Sequence, residues 1–179
     1  MTTRLFVAVS PPEHVAEEIE RLCVGLPGAR WSDPEQYHLT LRFMGEVDGL
    51  VFDQVADALA EVTFEPFDIQ LEGFGCFPPR GQPKVLWAGV SPRQPLIDLR
   101  RRVERVMRAA RIATEGRKYT PHMTVARLAG TPLPRLTRFL AAHALYRSEP
   151  FRVDAFHLYS SRLHPDGAMH EIEYTFSLD

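Results

Sequence analysis

A histidine, a threonine and an arginine alternate with apolar residues along Tyr37-His38-Leu39-Thr40-Leu41-Arg42-Phe43. A period of two predicts a β-strand, with Leu39, Leu41 and Phe43 toward a core and His38, Thr40 and Arg42 on the other face. Along that face the polar groups fall about 7 Å apart at each step. The pattern returns as Pro121-His122-Met123-Thr124-Val125-Ala126-Arg127. A lone histidine on a strand is more often a packing residue than a reagent. Two His-x-Thr strands at matching places in one chain are a different matter, because two imidazoles across a cleft suit phosphodiester cleavage. One, neutral, takes a proton from the attacking water, and the other, protonated, gives one to the departing sugar oxygen. In-line displacement puts attacker and leaving group on opposite sides of phosphorus, so the acid and the base must also face each other. Histidine holds both forms near neutral pH. Thr40 and Thr124 can donate to the non-bridging oxygens. Arg42 extends the first face by parity and can grip phosphate bidentately or close a salt bridge at the strand end. Arg127 has the opposite parity to His122 and joins the same face only where a bulge re-aims it.

This chemistry needs no metal and no cofactor. Catalytic zinc calls for three protein ligands, and neither motif has a ligand partner two to four residues away. His14, His143, His157, His164 and His170 have no repeat partner and are expected at the surface or in packing. Phe74 and Phe77, next to the loop Pro78-Pro79-Arg80-Gly81-Gln82-Pro83, are placed either to stack a base or to fill a core.

The elements that must hold these residues repeat. Phe6-Val7-Ala8-Val9-Ser10-Pro11 matches Trp87-Ala88-Gly89-Val90-Ser91-Pro92 at an offset of 81. His38-Leu39-Thr40-Leu41 matches His122-Met123-Thr124-Val125, and Glu65-Pro66-Phe67 matches Glu149-Pro150-Phe151, both at 84. Each half reads strand, helix, His-x-Thr strand, helix, Glu-Pro-Phe strand. Ser10 is expected to cap the first helix, with Val15, Ile19, Leu22, Cys23 and Leu26 inward. Asp48 is expected to cap the second, with Val51, Val55, Leu59 and Val62 inward. Trp31–Gln36 reads as a connector. Ser91-Pro92 and Thr131-Pro132 open two more helices, and Phe151–Tyr159 and Met169–Leu178 are strands joined by a turn at Pro165-Asp166-Gly167. The expectation is one two-lobed domain over residues 1–179, with repeats at roughly 4–77 and 85–161, packed about a pseudo-twofold axis that sets the two motifs face to face.

Composition allows this and excludes other classes. The chain has 179 residues, 45% hydrophobic and 25% charged, as in a globular domain with a full core. No apolar run approaches a membrane span, the start has no signal-peptide layout, and two cysteines make no disulfide framework. A reduced, cytoplasmic monomer is expected. Net charge is only −2, but residues 1–79 hold 4 basic and 14 acidic side chains, and residues 80–179 hold 17 and 9. That asymmetry fits either a polyanionic partner such as RNA or the wet face of a helix carrying Arg100, Arg101, Arg105 and Arg108.

On these motifs the chain resembles the RNA 2′,3′-cyclic phosphodiesterase (2′-5′ RNA ligase) family of two-histidine phosphoesterases. The resemblance runs through Arg4-Leu5-Phe6-Val7-Ala8, His38 to Val47, Val85 to Val90, Pro121 to Arg127 and Leu158 to Ala168. It implies an α+β, bilobal, pseudo-twofold fold, with antiparallel sheets lining a central cleft and helices outside. It implies hydrolysis of the 2′,3′-cyclic phosphate end of an RNA or oligonucleotide to a 2′-phosphate, with reverse joining giving a 2′-5′ linkage. It makes His38 the proton donor and His122 the proton acceptor, has Thr40 and Thr124 bind phosphate, and sets Arg127 beside the nucleotide. Tyr119, Val125 and His170 depart from the residues common in the family. The reading from a different class is a non-catalytic nucleotide- or RNA-binding module using the same cleft.

Overall fold

The computed structural model describes residues 1–113 and 115–179. These form nine strands, four α-helices and a 3-10 turn. In order they are β1 (Thr3–Val9), α1 (Glu13–Leu22), β2 (Ala29–Trp31), the turn Pro34–Gln36, β3 (Leu39–Val47), α2 (Gly49–Leu59), β4 (Phe67–Phe77), β5 (Val85–Ser91), α3 (Gln94–Ala109), β6 (Met123–Leu128), α4 (Leu133–Ala142), β7 (Phe151–Val153), β8 (Ala155–His164) and β9 (Gly167–Ser177). The fold is α+β, and every strand pairing is antiparallel.

The strand order is β7-β4-β5-β6-β3-β1-β8-β9, with β2 added beside β6. Among the described residues β3 and β6 meet through one pair, Leu39 opposite Met123. The sheet therefore has two halves hinged where the two His-x-Thr motifs begin. Neither half is one continuous stretch of chain. β4, which follows the first motif, pairs with β5, and β8, which follows the second, pairs with β1. Phe151–Tyr159, read as one strand, breaks at Asp154, so that β7 pairs with β4 and β8 with β1.

Alternation assigns the two faces of the sheet. Leu5, Val7 and Val9 of β1, Leu39 and Leu41 of β3, Leu86, Ala88 and Val90 of β5, and Phe156 and Leu158 of β8 enter one core. All four helices put their buried residues into it, among them Ile19, Leu59, Leu99 and Phe139. The opposite face carries a smaller buried cluster of Phe6, Ala8 and Tyr159, and His38 and His170 lie against it. Asp48 caps α2 as expected, its carboxylate accepting from Val51 N at 2.8 Å. Ser10 does not cap α1. Pro12 holds that position without a side-chain bond, and the Ser10 hydroxyl lies 3.3 Å from His157 Nε2. The connector Trp31–Gln36 contains more structure than its sequence suggests, since Ala29–Trp31 adds a strand to β6 and Asp33 caps the 3-10 turn through Glu35 N.

Candidate active site

Each histidine sits just ahead of its strand, where the chain has not yet joined the ladder and carbonyls remain available. His38 Nδ1 donates to the Gln36 carbonyl at 2.9 Å, and His122 Nδ1 donates to the Thr120 carbonyl at 2.6 Å. A carbonyl only accepts, so both bonds require the proton on Nδ1. Each Nε2 is thereby left as the nitrogen that exchanges a proton with a ligand. The same i to i−2 bond occurs twice, on the two sides of the Leu39–Met123 pair.

Burial is the main electrostatic influence. It holds His38 down at about 4 against the ordinary 6.5, with the Gln36 carbonyl opposing it and the neighbouring His170 and His122 imidazoles adding to it. His122 is also lowered by burial, against the pull of the Thr120 carbonyl. Both rings therefore favour the neutral form near pH 7. A bound phosphate anion reverses this by favouring the imidazolium form.

Aromatic rings wall both histidines. Phe6 lies 4.7 Å from His38 and stacks on Tyr159 at 4.9 Å. Phe77 stands edge-on to His122 at 4.9 Å, and Trp87 lies 6.0 Å from it. Trp87 can take this place because Gly75 opposite it has no side chain, and a Cβ there would come within 2.3 Å of the indole. Thr40 and Thr124 are half-buried, beside Ala8 and Trp87 respectively.

Two bulges decide which arginine reaches this face. In β3, Ala8 pairs with Thr40 and Val7 with Arg42, so Leu41 is the extra residue. In β6, Trp87 pairs with Thr124 and Leu86 with Ala126, so Val125 is the extra residue. Each bulged carbonyl has its own donor, Arg100 Nε for Leu41 at 2.9 Å and Ser32 N for Val125 at 2.8 Å. A bulge shifts parity by one. Arg42 is thereby turned into the core at 3% exposed, where it binds Glu104 and the Ala113 carbonyl. The expectation that Arg42 lines the phosphate face is corrected accordingly. The same shift brings Arg127 onto the face of His122, opposite Val85, and brings Phe43 onto the face of His38, 6.0 Å from Phe6 and 54% exposed.

Several residues of the site carry no motif. His170, expected in packing or at the surface, lies 5.1 Å from His38 and perpendicular to it. Its backbone N–H donates to Gln36 Oε1 at 2.6 Å, which ties β9 to the residue whose carbonyl orients His38. Of the two phenylalanines near the Pro/Gly loop, Phe77 belongs to the site, whereas Phe74 packs on Phe139 of α4. The basic face of α3 lies on the helical side of the sheet, away from the histidines. There Arg100 binds Leu41, Glu115 and the Tyr119 ring, leaving Arg101, Arg105 and Arg108 in solvent. Among the described residues no three His, Cys, Asp or Glu side chains converge to hold a metal ion, and no helix is long and apolar enough to cross a membrane.

An antiparallel α+β sheet whose two halves meet between two histidines held alike defines the class of protein. Comparison narrows the class. The profile of the 2′-5′ RNA ligase superfamily matches residues 11–165. The chain belongs to that superfamily. It is 30% identical to an RNA 2′,3′-cyclic phosphodiesterase of Archaeoglobus fulgidus over 94% of this chain and 96% of that one. It is 31% identical to one of Thermotoga maritima over 96% and 93%. Among solved structures, TT0787 of Thermus thermophilus superposes with a TM-score of 0.78 at 28% identity, covering 97% of both chains. The E. coli LigT complex with 3′-AMP superposes at 0.79 with 20% identity, over 99% of both, and so shares the fold.

Proposed function

We propose that the protein hydrolyses RNA 2′,3′-cyclic phosphate ends to 2′-phosphates without a metal, with His38 as proton donor and His122 as proton acceptor. The observation that carries this is the pair of imidazoles, each held through Nδ1 by the carbonyl two residues back, on the two sides of the Leu39–Met123 pair. Water attacks phosphorus in line with the 3′ oxygen. A P–O bond forms to water as its proton passes to His122 Nε2, and the P–O3′ bond breaks as His38 Nε2–H protonates the leaving oxygen. Solvent then resets both rings. Thr40 and Thr124 donate to the non-bridging oxygens, where charge collects. A ribose 5′-hydroxyl in place of water gives a 2′-5′ linkage by the same proton movements. The anionic substrate itself raises His38 into its acid form. Support comes also from the relatives' names, which denote RNA 2′,3′-cyclic phosphodiesterases.

We read the chain as one domain made of two related units, roughly 4–77 and 85–161, that together supply one site. The bulges at Leu41 and Val125 support this, since they stand at the same offset of 84 as the histidines. Because both histidines come from one polypeptide, a monomer suffices. The test is incubation with a nucleoside 2′,3′-cyclic phosphate in excess EDTA. A 2′-phosphate product is expected. Binding without product would favour a nucleotide-binding module, and product only on metal addition would overturn the mechanism.

A further inference from the structure

Strand β9 ends the sheet and, among the described residues, pairs with β8 alone. It nevertheless reaches back to the segment between β2 and β3, where the Gln36 side chain makes two bonds to one of its residues. Gln36 Oε1 accepts from the His170 backbone N–H at 2.6 Å, and Gln36 Nε2 donates to the His170 carbonyl at 3.4 Å. A primary amide carries a donor and an acceptor side by side, as a peptide group does. Gln36 therefore completes at His170 the bridge that a further strand would make. The backbone carbonyl of the same Gln36 accepts the His38 Nδ1 proton at 2.9 Å. Gln36 ends the 3-10 turn Pro34–Gln36, three residues ahead of the start of β3, so no ladder holds that carbonyl in place.

A single 3-10 turn is a soft mount for a reactive group, because its hydrogen bonds are poorly aligned and few. β9 stiffens it. The His170 ring stands perpendicular to His38 at 5.1 Å and edge-on to Phe6 at 4.9 Å, and Phe6 lies 4.7 Å from His38. Resting on the function proposed above, we infer that Gln36 is a positioning residue for His38: by tying the turn to β9, its side chain fixes the carbonyl that holds the imidazole at Nδ1 and aims Nε2 at the leaving oxygen. His170 supplies the backbone partner for that tie and a ring against the imidazole. The tautomer with its proton on Nε2 presents a lone pair to the Gln36 carbonyl and forms no bond there. Loosening the mount therefore frees the neutral ring to take both tautomers and to turn, and a misaligned donor costs turnover more than binding.

The test compares Gln36→Met, which keeps the length of the side chain and loses both bonds, with Gln36→Glu, which keeps an acceptor for the His170 N–H. Each is assayed on a nucleoside 2′,3′-cyclic phosphate at its own pH optimum, because a new carboxylate among His38, His122, His170 and Tyr159 favours the imidazolium forms. In Gln36→Met, kcat should fall about tenfold with KM changed less than about twofold, the mark of lost alignment. Gln36→Glu should recover kcat to within about threefold of wild type, because the shorter bond remains. The nitrogen NMR signals of the neutral His38 ring, assigned against His38→Ala, should show Nδ1 protonated in the wild type and in Gln36→Glu, and both tautomers in Gln36→Met. Wild-type kcat with the Nδ1–H form kept in Gln36→Met overturns the inference, and so does an equal loss of kcat in the two variants. Absence of turnover by the wild type overturns the proposed function, and the His38 tautomer in Gln36→Met then decides the positioning by itself.

Discussion

His38 and His122 are bound at Nδ1 to carbonyls and lowered by burial, and on the proposed mechanism these two features set the pH behaviour of the reaction. In the proposed mechanism the reactive form has His38 protonated and His122 neutral. Its share of the free protein peaks between the two pKa values, both of which lie below 6.5. The kcat/KM profile should therefore be bell-shaped with its maximum on the acid side of pH 6.5. In the complex the phosphate anion favours imidazolium, so the kcat maximum should lie at higher pH than that of kcat/KM. Steady-state rates from pH 4 to 9 check this, and coincident maxima above pH 7.5 would show that burial does not govern these rings. At this scale the pairing of the two histidines was readable from sequence, because both His-x-Thr motifs stand at one offset, and the structure holds both rings through Nδ1 in the same way. His170 was not. Its link to His38 runs through the Gln36 side chain, 134 residues away in the chain, and no motif marks it.

At the scale of elements, the bulges at Leu41 and Val125 determine which side chains share a face with the histidines. Alternation alone puts Arg42 on the active face and keeps Arg127 off it. One extra residue between the threonine and the arginine of each strand, Leu41 in β3 and Val125 in β6, reverses both assignments. Nothing in the composition of either strand signals a bulge, and only the need for one to bring Arg127 into the cleft was evident beforehand. Arg42 is accordingly a stability residue. Arg42→Ala leaves the largely buried Glu104 carboxylate and the Ala113 carbonyl without their partner, and should destabilise the fold by about 3–5 kcal/mol, measured by urea denaturation. A loss below about 1 kcal/mol would contradict the buried pair. β4 makes a second contribution through Gly75. A methyl group there must displace the Trp87 indole, so Gly75→Ala should shift tryptophan fluorescence and lower kcat/KM as the wall beside His122 moves. Unchanged emission and rate would mean that Trp87 does not depend on the bare backbone beneath it.

Across the whole molecule, the exchange of β4 and β8 ties the two halves of the sheet together, because each half contains strands from both halves of the chain. The order of strands and helices was legible from periodicity. The exchange was not, because an apolar alternating strand looks the same whichever neighbour it joins. Burial of histidines also leaves a mark on stability. His38, His122, His157 and His170 are all lowered below 6.5, so between that value and about 4 the unfolded chain binds more protons than the folded one. Stability should fall as pH drops through this window, seen as a declining urea midpoint, and His38→Gln should reduce the slope. A midpoint flat from pH 6.5 to 4 would contradict it. In the proposed mechanism the two histidines act as one acid–base unit on a cyclic phosphate. This is tested most directly by kcat/KM in EDTA for His38→Ala, His122→Ala and the double variant. Each single change should cost about 10²–10⁴-fold, and the double variant little more than the worse single, as for groups that act as a unit. Wild-type turnover in either single variant would contradict the account.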